Sequence, residues 1–316
     1  MRLTGGVFLD GEFRAPWSVI SQIGPDDCAI FFPETASLPP PSHVIGYHFV
    51  RSGRLTCEVE GQPPHPVRQG EIVLLPRNER HVLHGPVRCT PVDGHELIEP
   101  AAEDGLFRIR WPGDGEATSI YCGFLGSTTP DNMLLKSLPS VMVIRLDDAP
   151  DSAWIRRSLD FAVHDLGRQS PEMVGKLAEV LFAEAVRRYV QALPPHETGW
   201  LAGLQDPAVG RAISIIHKHY ADALTLEGLA GAAGVSKTVL GERFRALLGE
   251  SPMHYCAKWR MQIAAGMLRH NRQNACSVAY SVGFNSEAAF NRAFRREFGM
   301  PPAAWQKEVS GNNTGD

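Results

Sequence analysis

Two segments near the end of the chain carry side chains that suit contact with DNA. Each is a predicted helix with one apolar face, set by Leu240 and Phe244 in the first and by Phe290 and Phe294 in the second. The opposite faces carry the candidate DNA-contacting residues Lys237, Thr238, Gly241, Glu242 and Arg245, and Glu287, Ala288, Asn291, Arg292 and Arg295. A helix that docks by its apolar face and presents hydrogen-bonding side chains suits the major groove.

The second segment predicts the more specific contacts. Arg292 suits a bidentate pair with guanine, and Asn291 suits adenine or a phosphate. The other cations suit phosphates, which position a protein without specifying sequence; they are Lys237, Arg243, Arg245, Arg295 and Arg296. The first segment has Thr238, Gly241 and Glu242 where base contacts would fall, so we expect weaker base contact there. The alternative is that these charges only solvate an exposed helix face.

Both segments are the second half of a repeated unit. The run LEGLAGAAGVSKTVLGERFRALLG begins at Leu226, and SVAYSVGFNSEAAFNRAFRREFG begins at Ser277. Each combines a short helix, a turn containing Gly234 or Gly283, and a longer helix, and the second turn is one residue longer. A helix predicted to begin at Ser251-Pro252 joins them. Two copies of a helix-turn-helix predict two helices in two major grooves.

The charge distribution agrees with a polyanion as partner of this part of the chain. The 316 residues carry a formal charge of −4. Residues 205–309, however, hold 13 Lys and Arg against 8 Asp and Glu, whereas residues 1–204 hold 18 against 26. The excess is modest, and chance scatter of charge is an equal alternative. A basic module joined to an acidic one favours nucleic acid as a partner of the basic one.

The earlier part of the chain predicts a β domain followed by two helices. Short apolar runs recur about every ten residues from 13 to 127, which is typical of a sandwich or small barrel; they include AIFF at 29–32, HVIGYHFV at 43–50 and EIVLLP at 71–76. Helical periodicity follows over 151–168 and 171–192. We therefore predict an all-β domain (1–148), a helical linker or dimerisation segment (149–200), an all-α DNA-binding domain (205–309) and a disordered tail (310–316).

The C-terminal segments resemble the DNA-binding domain of AraC/XylS-type transcription regulators. LEGLAGAAGVS, RFRALLGESPMHY, WRMQIAAGMLR and VAYSVGFNSEAAFNRAFRREFGMPPAAW carry the resemblance over about residues 206–308. It implies seven helices, with two recognition helices in grooves roughly 34 Å apart on one face of double-stranded DNA. It also implies base contacts from Thr238, Gly241 and Glu242, and from Glu287, Ala288, Asn291 and Arg292. Gly241 departs from the family's longer polar residue.

The β section resembles the cupin-type effector domain of such regulators. HFVRSG at 48–53 and EIVLLPRNERH at 71–81 carry this resemblance, but the HxH pair of metal-dependent cupins is missing and Gly46 stands where their Glu ligand is expected. Alternation along the strand predicts that His48 and His81 face each other inside the barrel, with Cys122 nearby. They form a candidate zinc or ligand site, with Trp17 as a candidate pocket wall. The alternative is that all are satisfied core residues.

These features favour an effector-modulated, sequence-specific transcription regulator, either activator or repressor. No catalytic residues are predicted, and two alternatives remain: a cupin metalloenzyme with a DNA-binding tail, and an effector-independent DNA-binding dimer. The expected partners are DNA, an unidentified small molecule, a second copy of the chain and RNA polymerase. Six dispersed cysteines and the absence of a long apolar run favour the reducing cytoplasm and no membrane contact.

Overall fold

The computed structural model describes residues 3–24, 41, 43–99, 107–127, 133–146, 153–161, 171–194, 196–270 and 274–311. The chain divides into two compact units, Met1–Ala192 and Leu193–Asp316, which we call the β-rich unit and the helical unit. The strand predicted at 29–32 lies outside the described residues. So does most of the predicted tail, although Ser310 and Gly311 end the last helix.

The described strands of the β-rich unit form two sheets. They are β1 (Leu3–Arg14), β2 (Ser18–Ser21), β3 (His43–Ser52), β4 (Arg54–Val59), β5 (His65–Arg68), β6 (Glu71–Leu75), β7 (His81–His84), β8 (Val92–Asp93), β9 (Ile98–Glu99), β10 (Phe107–Trp111), β11 (Ala117–Ser127) and β12 (Met142–Arg145). One sheet has the order β12-β6-β3-β11-β1-β10-β9, and the other β5-β4-β7-β2-β8. The predicted all-β character of this part is confirmed.

Register in the larger sheet brings the predicted interior residues together. β3 lies between β6 and β11, and His48 pairs with Val73 on one side and with Cys122 on the other. Because directly opposed residues point to the same face of a sheet, His48 and Cys122 share the face that Leu9, Phe13 and Ile120 fill as core. The alternation along β3 therefore placed His48 correctly.

Three helices complete the described part of the β-rich unit: α1 (Met133–Ser137), α2 (Ala153–Phe161) and α3 (Pro171–Gln191). α3 packs along β1. Ile155 of α2 and Phe182 and Ala185 of α3 are buried, and together with Tyr47 and Leu74 of the sheet they line a small apolar cavity of about 30 Å³. One face of these helices thus covers the sheet.

The described helical unit consists of α4 (Trp200–Gln205), α5 (Pro207–Lys218), α6 (Leu226–Ala233), α7 (Lys237–Leu248), α8 (Pro252–His270), α9 (Ala275–Ser281), α10 (Glu287–Phe298) and α11 (Pro302–Gly311). The seven helices that the resemblance implies are α5 to α11, and α4 precedes them. Asp206 caps α5 by accepting hydrogen bonds from Ala208 N and Val209 N, both at 2.9 Å, and Pro207 is the first residue of the helix. Within the described residues, none of the helices is long and apolar enough to cross a membrane.

Candidate nucleic-acid interface

The two helix-turn-helix units, α6–α7 and α9–α10, are built with the same local devices. Ser236 and Ser286 cap the second helix of each unit, accepting hydrogen bonds from Val239 N at 3.2 Å and Ala289 N at 3.3 Å. Gly249 and Gly299 end these helices in the left-handed conformation, with φ of 73° and 78°. Such caps satisfy backbone groups that a helix end leaves unpaired, so they fix where α7 and α10 begin and end.

The buried faces of α7 and α10 are those that the sequence predicts. Leu240 and Phe244 are fully buried, as are Phe290 and Phe294. In the second unit Phe294 also stacks on Phe298 with ring centroids 4.5 Å apart. These contacts anchor each helix by one face and leave the opposite face to solvent.

Most candidate contact residues lie on these exposed faces. Gly241 is buried, but a side chain at this position would begin 3.8 Å from Nη1 of Arg245 and would meet no other described part of the protein beyond its own helix. The Arg245 side chain therefore covers Gly241, and the placement of Gly241 on the contacting face stays a prediction. The Arg245 guanidinium lies next to the position that the glycine leaves without a side chain, while Lys237, Thr238 and Glu242 are exposed.

Three arginines of α10 are available for an external anion. Arg292, Arg295 and Arg296 are exposed, and none forms an ion pair or side-chain hydrogen bond within the part of the chain that the structure describes. Glu287 and Ala288 are exposed at the start of the same helix. An exposed guanidinium that is not neutralised by a carboxylate retains its full attraction for phosphate or guanine.

Asn291 presents only part of its amide on this face. Its Oδ1 is buried and has no hydrogen-bond partner among the described residues. A bidentate pair with adenine requires both the oxygen and the NH₂ of the amide. In this conformation Asn291 offers its NH₂ alone, which suits an acceptor such as a phosphate, guanine O6 or N7.

Two basic residues of α7 are engaged within the protein. Arg243 Nη1 forms an ion pair with Asp206 Oδ2 at 3.1 Å, and so ties α7 to the start of α5. Lys237 Nζ lies 3.5 Å from Glu227 in an exposed pair that costs little to break. Arg243 is thus less suited to a phosphate than the sequence suggests, and the first unit presents fewer free cations than the second.

In the β-rich unit, His48 and His81 form a buried pair. Each is 2% exposed, and their Nε2 atoms are 2.8 Å apart. His81 Nδ1 lies 2.9 Å from the carbonyl oxygen of Glu79, which can only accept, so Nδ1 carries the proton. Burial lowers the pKa of His81 to about 4, so its ring is neutral at pH 7 and Nε2 is the acceptor.

This assignment fixes the tautomer of the second ring. His48 Nε2–H must donate to His81 Nε2, which leaves His48 Nδ1 as an acceptor. Burial, and then the neighbouring His81, lower the pKa of His48 well below its usual value, so this ring is neutral as well. His48 Nδ1 is buried without a hydrogen-bond partner among the described residues. A buried acceptor of this kind is costly unless a donor reaches it.

The histidine pair does not fit the predicted zinc site. Two nitrogens bound to one tetrahedral zinc lie about 3.3 Å apart, given Zn–N bonds of roughly 2.0–2.1 Å. The Nε2 atoms of this pair are only 2.8 Å apart and are joined by a hydrogen bond. Burial raises the pKa of the Cys122 thiol to about 12, so this side chain is a neutral thiol at pH 7 in the absence of a metal. Among described residues, no three His, Cys, Asp or Glu side chains are placed to hold a metal.

Gly46 accounts for the missing third ligand. A side chain at this position would begin 4.0 Å from Cε1 of His81, so the residue does face the histidine pair. A carboxylate there would lie close to both rings, and glycine supplies none. The chemistry left to the pair is hydrogen bonding.

A small cavity adjoins the pair. Its volume is about 40 Å³, and His48 and Cys122 line it together with apolar side chains such as Leu9, Phe13 and Phe124. Trp17, the candidate pocket wall, does not line this cavity. It is fully buried against Phe13, with ring centroids 4.5 Å apart, and belongs to the core.

An aromatic cluster in the helical unit was not predicted from the sequence. The His217 ring stacks on Trp259, with centroids 3.7 Å apart, and its Nε2 accepts from Tyr255 Oη–H at 2.7 Å. Tyr255 Oη in turn accepts from Trp200 Nε1 at 2.8 Å. Burial lowers the pKa of His217 to about 4, which keeps its ring neutral. Trp200 and Trp259, the outermost members of the cluster, are 59 positions apart, and a local sequence pattern cannot predict contacts over such a separation.

Comparison with known proteins agrees with the division of the chain into a β-rich unit and a helical unit. Residues 1–191 match a family model described as Cupin, and residues 229–308 match one described as Helix-turn-helix domain. An AraC-like transcription regulator of Streptomyces lividans is 32% identical over 270 residues, which cover 84% of this chain and 87% of that protein. The HTH-type transcriptional regulator MtrA of Neisseria gonorrhoeae is 28% identical, covering 83% and 85%.

Among solved structures, the DNA-binding domain of AdpA in complex with a target DNA is 28% identical, with a TM-score of 0.33, and covers 35% of this chain and all of that domain. The similarity to the full-length relatives extends over both units, and the residues that match the helix-turn-helix family model include α7 and α10. The chain belongs to the AraC-type DNA-binding transcription regulators, with a cupin domain in its N-terminal part and the helix-turn-helix domain in its C-terminal part.

Proposed function

We propose that this regulator binds a specific two-part DNA site through α7 and α10, and that a small molecule in the β-rich unit modulates that binding. The observation that carries the first part is the set of exposed guanidinium groups on α10, which have no carboxylate partner among the described residues and lie on the face opposite its buried phenylalanines. Net attraction for DNA phosphates follows from these charges and makes the binding salt-dependent. Since chromosomal DNA is the partner, we place the protein in the cytoplasm.

The roles of the side chains follow from their positions along the helix. Arg292 lies in the first half of α10, where recognition helices approach base edges, and we assign it to a guanine. Arg295 and Arg296 lie further along and are assigned to phosphates. Ala288 suits van der Waals contact with a thymine methyl, and Asn291 an acceptor atom. In α7, Thr238, Glu242 and Arg245 make the weaker contacts.

The effector that suits the β-rich unit is small, largely apolar and carries one hydrogen-bond donor. The cavity walls are mostly apolar, and His48 Nδ1 is the acceptor left without a partner among the described residues. A ligand N–H or O–H that reached Nδ1 would satisfy a buried group, and the apolar remainder would replace water. Phenol and benzene are matched probes, because they differ by a single hydroxyl group; the side chains that line the cavity of about 40 Å³ must move apart to admit either ring.

We further propose that the regulator acts as a dimer through α2 and α3. Trp154 and Phe161 of α2 and Val180 of α3 are 39%, 47% and 51% exposed, although the opposite faces of the same helices are buried on the sheet. Large apolar side chains exposed on helices whose other faces are buried favour a second copy of the chain as the molecule that covers them. A contact with RNA polymerase would then decide activation.

The first experiment measures binding of the full-length protein to the DNA that flanks its own gene, at two salt concentrations, against unrelated DNA of equal length. We expect retention of the flanking DNA at a salt concentration that releases the unrelated DNA. Equal, weak binding to both would contradict a specific site in that region. Repeating the titration with phenol or benzene tests modulation: a shift with phenol alone supports His48 as the contact, and no shift with either probe contradicts the proposed ligand class.

A further inference from the structure

The two helix-turn-helix units are joined by more than the connecting helix. Arg260, in the middle of α8, donates to three backbone carbonyl oxygens. Its Nε reaches Tyr220 O at 2.6 Å, Nη2 reaches Asp222 O at 2.7 Å, and Nη1 reaches Gly283 O at 3.3 Å. One guanidinium therefore connects the loop that precedes α6 with the turn between α9 and α10.

The same two segments are in direct backbone contact. Gly283 has a φ of 82°, and a side chain at this position would begin 2.4 Å from the carbonyl oxygen of Ala221. The corresponding glycine of the first unit, Gly234, has a similar φ of 73° but no atom within 4 Å of that position. Both turns need glycine for its conformation. Only the second turn also needs glycine because its backbone lies close to Ala221, in the loop that leads into the first unit.

The loop also contributes to the core of the second unit. Tyr220 packs on the cluster that contains Phe290 and Phe294, the residues that anchor α10. The loop is itself held by a hydrogen bond between His219 Nδ1 and Asp222 Oδ2 at 3.1 Å and by Asp222 N donating to His219 O at 3.0 Å. The segment that leads into the first unit is thus part of the support of the second recognition helix.

We infer that Arg260, with Gly283, fixes the orientation of α10 relative to α7, and so determines the spacing between the two parts of the DNA site. This rests on the proposed two-part binding. Because one base pair rotates the next groove contact by about 35°, a rigid pair of helices accepts one spacing, whereas a loose pair accepts several. Arg260 is a positioning residue and makes no contact with DNA in this scheme.

The test compares Arg260→Lys with Arg211→Lys in the full-length protein. Lysine keeps the charge but lacks the planar fork that spans three carbonyl groups. Arg211 is the control, since its hydrogen bond to Ala232 O at 3.4 Å joins α5 to α6 and does not reach the second unit. The probe is the DNA duplex that the wild-type protein selects from a randomised pool, together with versions that have one base pair added or removed between its two parts.

For the wild-type protein and Arg211→Lys, we expect affinity to fall at least about tenfold when the spacing changes by one base pair. For Arg260→Lys we expect a fall of less than about threefold, with weaker binding at the original spacing. If Arg260→Lys and the wild type depend on the spacing in the same way, the inference about Arg260 is overturned, but the proposed two-part binding is not. A wild-type selection that returns a one-part site or no site would overturn the proposed two-part binding, and the inference with it.

Hydrogen exchange without DNA gives a second, independent measurement. In Arg260→Lys we expect faster exchange of the amides in 219–224 and 279–285, with those of α7 unchanged, because only the junction loses hydrogen bonds. Exchange that is unchanged throughout, or faster over the whole helical unit, would overturn the inference. The melting temperature is recorded for each variant to show that it is folded.

Discussion

Arg292 and Arg295 lie on the same exposed side of α10 but in different halves of the helix, and this difference separates their predicted roles. We expect Arg292→Ala to lose roughly 1–3 kcal/mol on the selected DNA and to relax preference at one base pair. Arg295→Ala should weaken binding to all sequences by a similar factor, because a phosphate contact carries no sequence information. Affinities of both variants for the selected DNA, single-base variants of it and random DNA decide between these roles.

The salt dependence of the same variants supplies the control. Removal of one phosphate contact should lower the slope of log affinity against log salt by about 1, and we expect this for Arg295→Ala. An equal loss on selected and random DNA for Arg292→Ala would show that Arg292 touches only phosphate. Both side chains are exposed, so neither variant should alter the stability of the helical unit.

The neutral state of the buried histidine pair predicts a loss of stability in acid. The pKa of His81 falls from 6.5 in a free side chain to about 4 in the folded protein. Between these values the unfolded chain binds a proton that the folded protein does not, so the free energy of unfolding decreases as the pH falls. The full loss from His81 is about 3 kcal/mol, and it is complete below pH 4.

The measurement is urea unfolding of the full-length protein between pH 7 and pH 4, followed for the β-rich unit. His81→Gln cannot titrate, so its stability should fall less steeply over this window than that of the wild type. Parallel curves for the wild type and His81→Gln would contradict the neutral pair.

At the level of elements, the two turn glycines give a matched comparison of stability. Gly234 and Gly283 both have positive φ, so alanine at either position costs about 1–2 kcal/mol in conformational strain. At Gly283 the new Cβ would also meet the carbonyl oxygen of Ala221. We therefore expect Gly283→Ala to reduce the free energy of unfolding of the helical unit clearly more than Gly234→Ala. Equal losses in chemical unfolding would show that the close approach is relieved without cost.

Local patterns predicted the elements well because each carries its own signal. The Ser251-Pro252 pair marks the start of α8, and the repeated glycines mark the turns. Alternation along β3 placed His48 inside, and the cupin resemblance put Gly46 at a ligand position, which the structure shows to face His81. These features depend on residues a few positions apart, where the period of the helix or strand determines the direction of a side chain.

Contacts between distant elements and the conformations of individual side chains could not be predicted from the sequence. The ion pair of Arg243 with Asp206 joins α7 to α5, and the burial of Gly241 depends on where Arg245 lies. Trp17 is apolar and large, which suits a pocket wall as well as a core, and only the packing on Phe13 decides. Likewise, the facing histidines were predicted, but not that they are close enough to share a proton.

For the whole molecule, the proposed dimer gives the last prediction. Val180 on α3 and Val87 in the β-rich unit are similarly exposed, at 51% and 57%, but only Val180 lies on the face proposed to meet a second copy. A buried, unpaired carboxylate in an interface is costly, so Val180→Glu should shift the protein to monomer, whereas Val87→Glu should leave the dimer intact. Sedimentation of the wild type and both variants over a range of concentrations measures this.

The consequence for DNA binding follows from linkage. If a dimer engages two copies of the DNA site, the second binding event is intramolecular, and loss of the dimer should reduce affinity for a duplex with two sites by about a hundredfold or more. Affinity for a duplex with one site should not change, because the helical unit is untouched by the substitution. A monomeric wild-type protein, or dimers of Val180→Glu as stable as those of Val87→Glu, would rule out α2 and α3 as the interface.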